Sequence, residues 1–185
     1  VPALPGRLDI ARSFRPLKKR AESRRRREID VLATADRMAD TGIRWPVLRP
    51  ARERWLDLSL VVEVSRTMVI WRGLVRELRK LLHRTGVFRK IDGWEFGSDR
   101  NHEKMILHRG DGIHRPYRSV IGGKGRRLVL VVSDCISGIW RDGSAARLMD
   151  DWAGEAITAL VQLFPEHLWS RTALHQASTV RLRMQ

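Results

Sequence analysis

Hydrophobic and polar residues fall into a regular pattern from residue 55 onward, and the first 54 residues lack it. Residues 55–64 form a nearly continuous apolar run that includes Leu58, Leu60, Val61 and Val62, as in a central parallel strand covered on both faces. Residues 68–84 place Val69, Leu74, Val75, Leu78, Leu81 and Leu82 at helical spacing, with Gly86 where the helix would close. A strand over 88–96, a short strand over 104–108 and a long glycine-containing loop over 110–124 follow. Residues 128–132, Leu-Val-Leu-Val-Val, read as a second fully buried strand. A helix over 145–153, an apolar strand over 157–164 and a short helix over 166–174 complete the series. Alternation of strands and helices predicts an α/β fold with an open, doubly wound, mainly parallel sheet of Rossmann-like type.

The first 54 residues carry a different signal. Within 1–27, ten basic residues face only Asp9 and Glu22, a net charge of +8. These are Arg7, Arg12, Arg15, Lys18, Lys19, Arg20, Arg24, Arg25, Arg26 and Arg27. Pro2, Pro5, Gly6 and Pro16 interrupt the stretch, and like charges at helical spacing repel. The expectation is a loosely structured basic arm. Residues 28–41 set Ile29, Leu32, Ala35 or Asp36, and Ala39 near one helical face, with Met38 beside it and Gly42 at the capping position. Residues 43–54, with Pro46 and Pro50, read as a linker. The division is therefore an arm (1–27), a helix and linker (28–54), an α/β domain (55–175) and a polar, basic exit segment (176–185).

Composition sharpens this picture. A chain of 185 residues with 43% hydrophobic residues can bury a substantial core, and seven Trp against one Tyr point to aromatic packing. The net charge of +15 favours anionic partners, and more than half of it lies in the arm. No apolar run approaches the ~20 residues of a membrane span, and no signal-peptide core is visible. No membrane partner and a cytoplasmic location are expected. Cys135 is the single cysteine, which excludes an internal disulfide and a cysteine-rich zinc site. At the end of an apolar run it reads as a buried, inert thiol. The sequence opens on Val1, as a piece of a longer polypeptide or a product of an alternative start codon would.

Ligands of open α/β sheets meet the carboxyl ends of strands at the switch point of strand order. After the first buried strand stands Glu63-Val64-Ser65-Arg66-Thr67, and after the second stands Ser133-Asp134-Cys135. Glu63, Ser65, Thr67 and Asp134 would offer hard oxygen ligands to Mg²⁺ or Mn²⁺. At these residues the chain resembles a von Willebrand factor A-type domain, whose metal-adhesion loop has the form Asp-x-Ser-x-Ser with a further Asp after a later strand. The resemblance covers roughly residues 55–174. More narrowly, the segments RWLDLSLVVEVSRTMVIW, LVLVVSDC and ALVQLFPEHLWSRTAL resemble an actinobacterial and cyanobacterial module. That module stands N-terminal to ATPase, kinase or repeat domains in large conflict or signalling proteins.

The chain departs from the family pattern in three ways. Glu63 replaces the first Asp, Arg66 brings a cation into the loop, and no counterpart of the family's middle-loop Thr is evident. Mg²⁺ demands near-octahedral geometry at about 2.0–2.1 Å, so these changes describe a degenerate site. The competing structural reading has Glu63 and Asp134 capping helices and pairing with Arg66 or Arg141, with Ser65 and Thr67 as N-cap hydroxyls.

Other candidates carry less. His83, His102, His108, His114, His167 and His175 show no metal-ligand spacing. Gly122-Gly123-Lys124-Gly125 precedes a strand instead of opening a helix, the wrong context for a phosphate loop. Ser133 has no nucleophile elbow and no assignable base. Trp55, Trp71, Trp140, Trp152 and Trp169 lie at element edges, where core packing is the default and an exposed Trp140 or Trp169 would suit an interface. No catalytic constellation emerges. The sequence supports a non-enzymatic interaction or scaffold module of a bacterial multidomain defence or signalling protein, docking a partner protein or an adjoining domain of its own chain. The alternative is a nucleic-acid-binding domain that acts through the ten cations of the arm. A metal-dependent hydrolase using Asp134 remains as a third reading without a general base.

Overall fold

The structure is a computed structural model that describes Leu4 and residues 6–99, 105–122 and 126–174. Along the chain the elements are α1 (Arg7–Ser13), β1 (Arg20–Ile29), α2 (Val31–Thr41), β2 (Leu48–Arg54) and β3 (Leu56–Glu63). A 3-10 turn over Thr67–Trp71 runs into α3 (Arg72–Thr85), followed by β4 (Ile91–Ser98) and β5 (Met105–His108). Then come a 3-10 turn over Tyr117–Val120, β6 (Arg126–Ser133), α4 (Gly138–Arg141), α5 (Ser144–Ala153), β7 (Ile157–Gln162) and a 3-10 turn over Glu166–Arg171.

Five strands make one sheet in the order β5-β4-β3-β6-β7. β3 pairs in parallel with both β4 and β6, β6 pairs in parallel with β7, and β5 is an antiparallel edge on β4. The chain builds outward from β3 to one side, then returns to the other side of β3 with β6, so the strand order reverses between these two. All eight residues of β3 are buried. Successive side chains alternate between faces. Leu58, Leu60 and Val62 join Leu78 and Leu82 of α3 in one core, and Val61, Val129 and Val131 join Trp94, Phe96, Trp140, Leu148 and Trp152 in the other. The mainly parallel α/β sheet expected from the sequence is present.

The amino ends of the central strands are held by charge. Asp57, Asp92 and Arg127 are the second residues of β3, β4 and β6. Arg127 donates through Nη1 to Ser59 Oγ at 2.8 Å and to Asp92 Oδ2 at 3.1 Å. Arg89 grips Asp57 with two bonds of 2.9 and 2.7 Å, while Arg109 and Lys90 reach Asp92 at 2.7 and 2.9 Å. Carboxylates placed this deep require such partners. The cluster lies at the opposite end of the sheet from the predicted site.

Boundaries shift in several places. The helix expected over 68–84 begins as a 3-10 turn, β4 starts at Ile91, and the final helix is a 3-10 turn. The loop over 110–124 contains the Tyr117–Val120 turn, which buries Val120 against the sheet.

The larger difference lies in residues 6–54, where regular elements replace the expected loose arm and linker. Leu4, Ile10, Phe14 and Leu17 pack onto the core, with the Phe14 ring edge-on to Phe88 at 5.9 Å. β1 and β2 then pair antiparallel into a two-stranded ribbon. Cations that would repel at helical spacing are spread along an extended strand, and Pro50 is tolerated because each ribbon strand has a free edge. Helix α2 starts later than expected, where Asp30 Oδ1 accepts the Ala33 N–H at 3.1 Å. It ends on Gly42 as anticipated, at φ +69°. The exit segment 176–185, residues 123–125, His102 and His175 lie outside the described residues.

Candidate functional site

β3 and β6 run parallel with Val62 opposite Val132, so Glu63 and the Ser133-Asp134 pair emerge side by side at the switch point. The side chains there are almost withdrawn from solvent: Glu63 is 2% exposed, and Ser133 and Asp134 are fully buried. Ser133 donates its hydroxyl to Glu63 Oε2. Trp140 Nε1 donates to the same oxygen at 3.0 Å. The Ser133 oxygen in turn accepts the Cys135 N–H at 2.8 Å. Asp134 folds its own loop, accepting the Ile136 N–H on Oδ1 at 3.2 Å, while its backbone carbonyl accepts Gln162 Nε2 at 3.1 Å.

Half of each carboxylate is left over. Glu63 Oε1, Asp134 Oδ2 and the Ser137 hydroxyl are buried with no hydrogen-bond partner among the described residues. An unsatisfied buried acceptor costs about 1–3 kcal/mol, more when charged. Two such oxygens at adjacent strand ends need a reason beyond packing.

The other two predicted ligands stand in the loop after β3. Ser65 Oγ lies 3.0 Å from Thr67 Oγ1 and accepts the Met68 N–H at 3.4 Å. The N-cap role proposed for Ser65 and Thr67 is not taken up: the turn starts at Thr67 with Arg66 as its cap residue, and Ser65 only bonds the Met68 N–H from the position before. Nor is the ion-pair half of that reading: neither Glu63 nor Asp134 pairs with Arg66 or Arg141. Among the described residues no group of three His, Cys, Asp or Glu side chains converges as a metal cage. A cation here would draw on two carboxylates and hydroxyls instead. Their chemistry suits a hard ion.

Beside the carboxylates lies a cleft of about 270 Å³, bounded by Cys135, Trp140, Arg141, Arg171 and Thr172 among others. Trp140 and Cys135 connect it to the buried pair. Arg141 and Arg171 are exposed at its border and belong to no ion pair among the described residues. Cys135 holds a left-handed backbone at φ +58°, unusual for a residue with a side chain. Burial pushes its thiol up to about 12, and the nearby Glu63 and Asp134 charges add to the shift. A thiol so rarely ionised is a poor nucleophile.

The ten cations of the arm are divided between two places. Arg7, Arg12 and Arg15 lie on the α1 segment, where Arg12 pairs with Asp9 at 3.3 Å. Lys18 and Lys19 lead into the ribbon, and Arg20 and Arg24 to Arg27 lie on β1. Trp140 and Trp152 are buried and Trp169 is half-buried. The exposed tryptophan is Trp45, at 66%, in the loop before β2. The charge cluster of Asp57, Asp92 and Arg127 also escaped the sequence. A polar residue at the second position of three apolar strands was its only signal. No helix among the described residues is long and apolar enough to cross a membrane. Comparison with family models, with curated proteins and with solved structures finds no match to this chain.

Proposed function

We propose that the chain is a non-enzymatic interaction module of von Willebrand A-like type, docking an acidic group of a partner protein or adjoining domain at the carboxyl ends of β3 and β6. The observation that carries this reading is the pair of unpartnered buried oxygens, Glu63 Oε1 and Asp134 Oδ2, at the switch point. The strand order, which reverses between β3 and β6, supports it. So does the adjoining cleft with Arg141 and Arg171, two exposed cations at its border without an ion pair among the described residues. Glu63, Asp134, Ser65 and Thr67 would hold Mg²⁺ or Mn²⁺, and the ion would supply an open position for a carboxylate of the partner. The enclosed, already bonded Ser133 and the unreactive Cys135 support binding over covalent chemistry.

Calorimetric titration of Mn²⁺ into the wild type and Asp134→Ala tests the metal. One binding event in the wild type that disappears in the variant is expected; equal heats in both remove the ion and leave a metal-free scaffold. A short Asp-containing peptide then tests docking. Its binding should require the cation and weaken when Arg141 and Arg171 are changed to Gln.

A further inference from the structure

The ribbon of β1 and β2 offers a second binding surface of a different kind. Its register pairs Glu22 with Arg52 and Arg27 with Pro50, so residues 23–26 of β1 stand opposite the single residue Ala51 of β2. This is an extended bulge. Ser23, the one buried residue of β1, pins it: the Ser23 hydroxyl accepts the N–H of Arg25 at 3.3 Å and of Arg26 at 2.9 Å. The folded-back turn directs Arg24, Arg25 and Arg26 outward, and Arg27 follows directly, all four exposed.

Among the described residues these cations have no carboxylate in ion-pair contact. None of Lys18, Lys19, Arg20 and Arg24 to Arg27 takes part in an ion pair among the described residues. Of the carboxylates nearest in sequence, Glu28 and Asp30 are both held by Arg49, at 2.9 and 3.8 Å, and Glu22, on β1 itself, forms no ion pair with these cations among the described residues. Arg20 sits opposite Arg54 across the ribbon. A row of like charges held this close repels itself until an anionic lattice of similar spacing neutralises it.

We infer that the ribbon binds the phosphate backbone of duplex DNA through Arg24, Arg25, Arg26 and Arg27, without reading sequence. Guanidinium groups suit phosphate oxygens, and a two-stranded antiparallel ribbon has dimensions that a B-form groove accommodates. The bulge presents four like cations in a row, which match the uniform charge of a phosphate backbone, so the interaction is of the backbone type. This surface shares no residue with the cleft beside Glu63 and Asp134.

A 20-base-pair duplex of arbitrary sequence, titrated into the whole chain by fluorescence anisotropy from 50 to 200 mM salt, tests the inference. Each phosphate contact contributes about 0.9 to the logarithmic salt slope. The triple change Arg24→Gln, Arg25→Gln, Arg26→Gln should therefore reduce the slope by about 3 and weaken binding at least about tenfold at 100 mM salt. The corresponding change to Lys keeps the charge and should retain most of the affinity. Neutralising Arg72, Arg76 and Arg79 of α3 instead removes the same charge elsewhere and should leave the slope nearly unchanged. Equal loss from the α3 set, equal loss from the Lys set, or no loss from the Gln set overturns the inference. Equally tight binding of poly-L-glutamate, abolished by the same Gln changes, also overturns it, by assigning the surface to acidic protein.

Discussion

Ser133 donates its hydroxyl to Glu63, which ties the last residue of β6 to the last residue of β3 inside a nearly dry pocket. Trp140 gives the same carboxylate oxygen its other bond. Ser133→Ala removes one of these donors and also the acceptor for the Cys135 N–H. Urea unfolding should show a loss of about 1–3 kcal/mol with an unchanged denaturant slope. A loss below a few tenths would mean that the Ser133–Glu63 contact has no structural weight.

Gly97 answers a steric demand at the same edge. A methyl group on it would lie 2.5 Å from the Val64 carbonyl oxygen, which is backbone and cannot swing aside. Gly97→Ala should destabilise the protein by about 1–3 kcal/mol and displace the loop carrying Ser65 and Thr67. Under the proposed function, Mn²⁺ affinity falls in this variant even at temperatures where it remains folded, as calorimetry beside a thermal melt would show.

Asp92 gives the acid limb of stability a specific origin. Burial alone would raise its carboxyl, but the Lys90 hydrogen bond and charge, the Arg127 bond and the Arg109 charge together hold it below the ordinary 3.8. The folded state therefore binds the Asp92 proton less readily than the unfolded chain. Its contribution is complete above the unfolded value and is lost as pH falls through the lower folded value. Asp92→Asn should flatten the decline in stability between about pH 5 and pH 2 relative to wild type. Parallel curves for the two proteins would exclude the assignment.

Cys135 should resist thiol reagents in the native protein. Its side chain is fully buried and its thiol lies near 12, so labelling at pH 8 should follow the unfolding rate and accelerate steeply in urea. Rapid, stoichiometric labelling without denaturant would show that the loop opens.

The buried half of the fold was legible because burial on two faces leaves a plain mark. Leu58 to Val62 and Leu128 to Val132 had to be central strands, and Gly86 and Gly42 had to close helices. The position of Glu63 and Asp134 at the switch point followed from the same runs. What escaped depended on pairing between distant segments. Residues 20–29 carry a dense run of cations without the apolar alternation that marks a strand, and become one only when 48–54 lies alongside. The bonds from Ser133 and Trp140 to Glu63 were hidden for the same reason, since they span 70 and 77 residues. Exposed Trp45 went unnoticed because an irregular segment gives no periodicity from which to judge which side faces water.

One residue, Trp55, separates the end of β2 at Arg54 from the start of β3 at Leu56. Its N–H bonds Lys19 O at 3.3 Å, its indole bonds Leu17 O at 2.7 Å, and Arg126 lies over its ring at 5.2 Å. Arg54 adds a bond to Phe88 O at 2.9 Å. The junction is therefore tied to both the first segment and the sheet. The ribbon runs through this single residue into the central strand, whose opposite tip is Glu63, about 26 Å away at ~3.3 Å per residue. One continuous stretch of chain thus joins the cationic ribbon to the switch-point carboxylate.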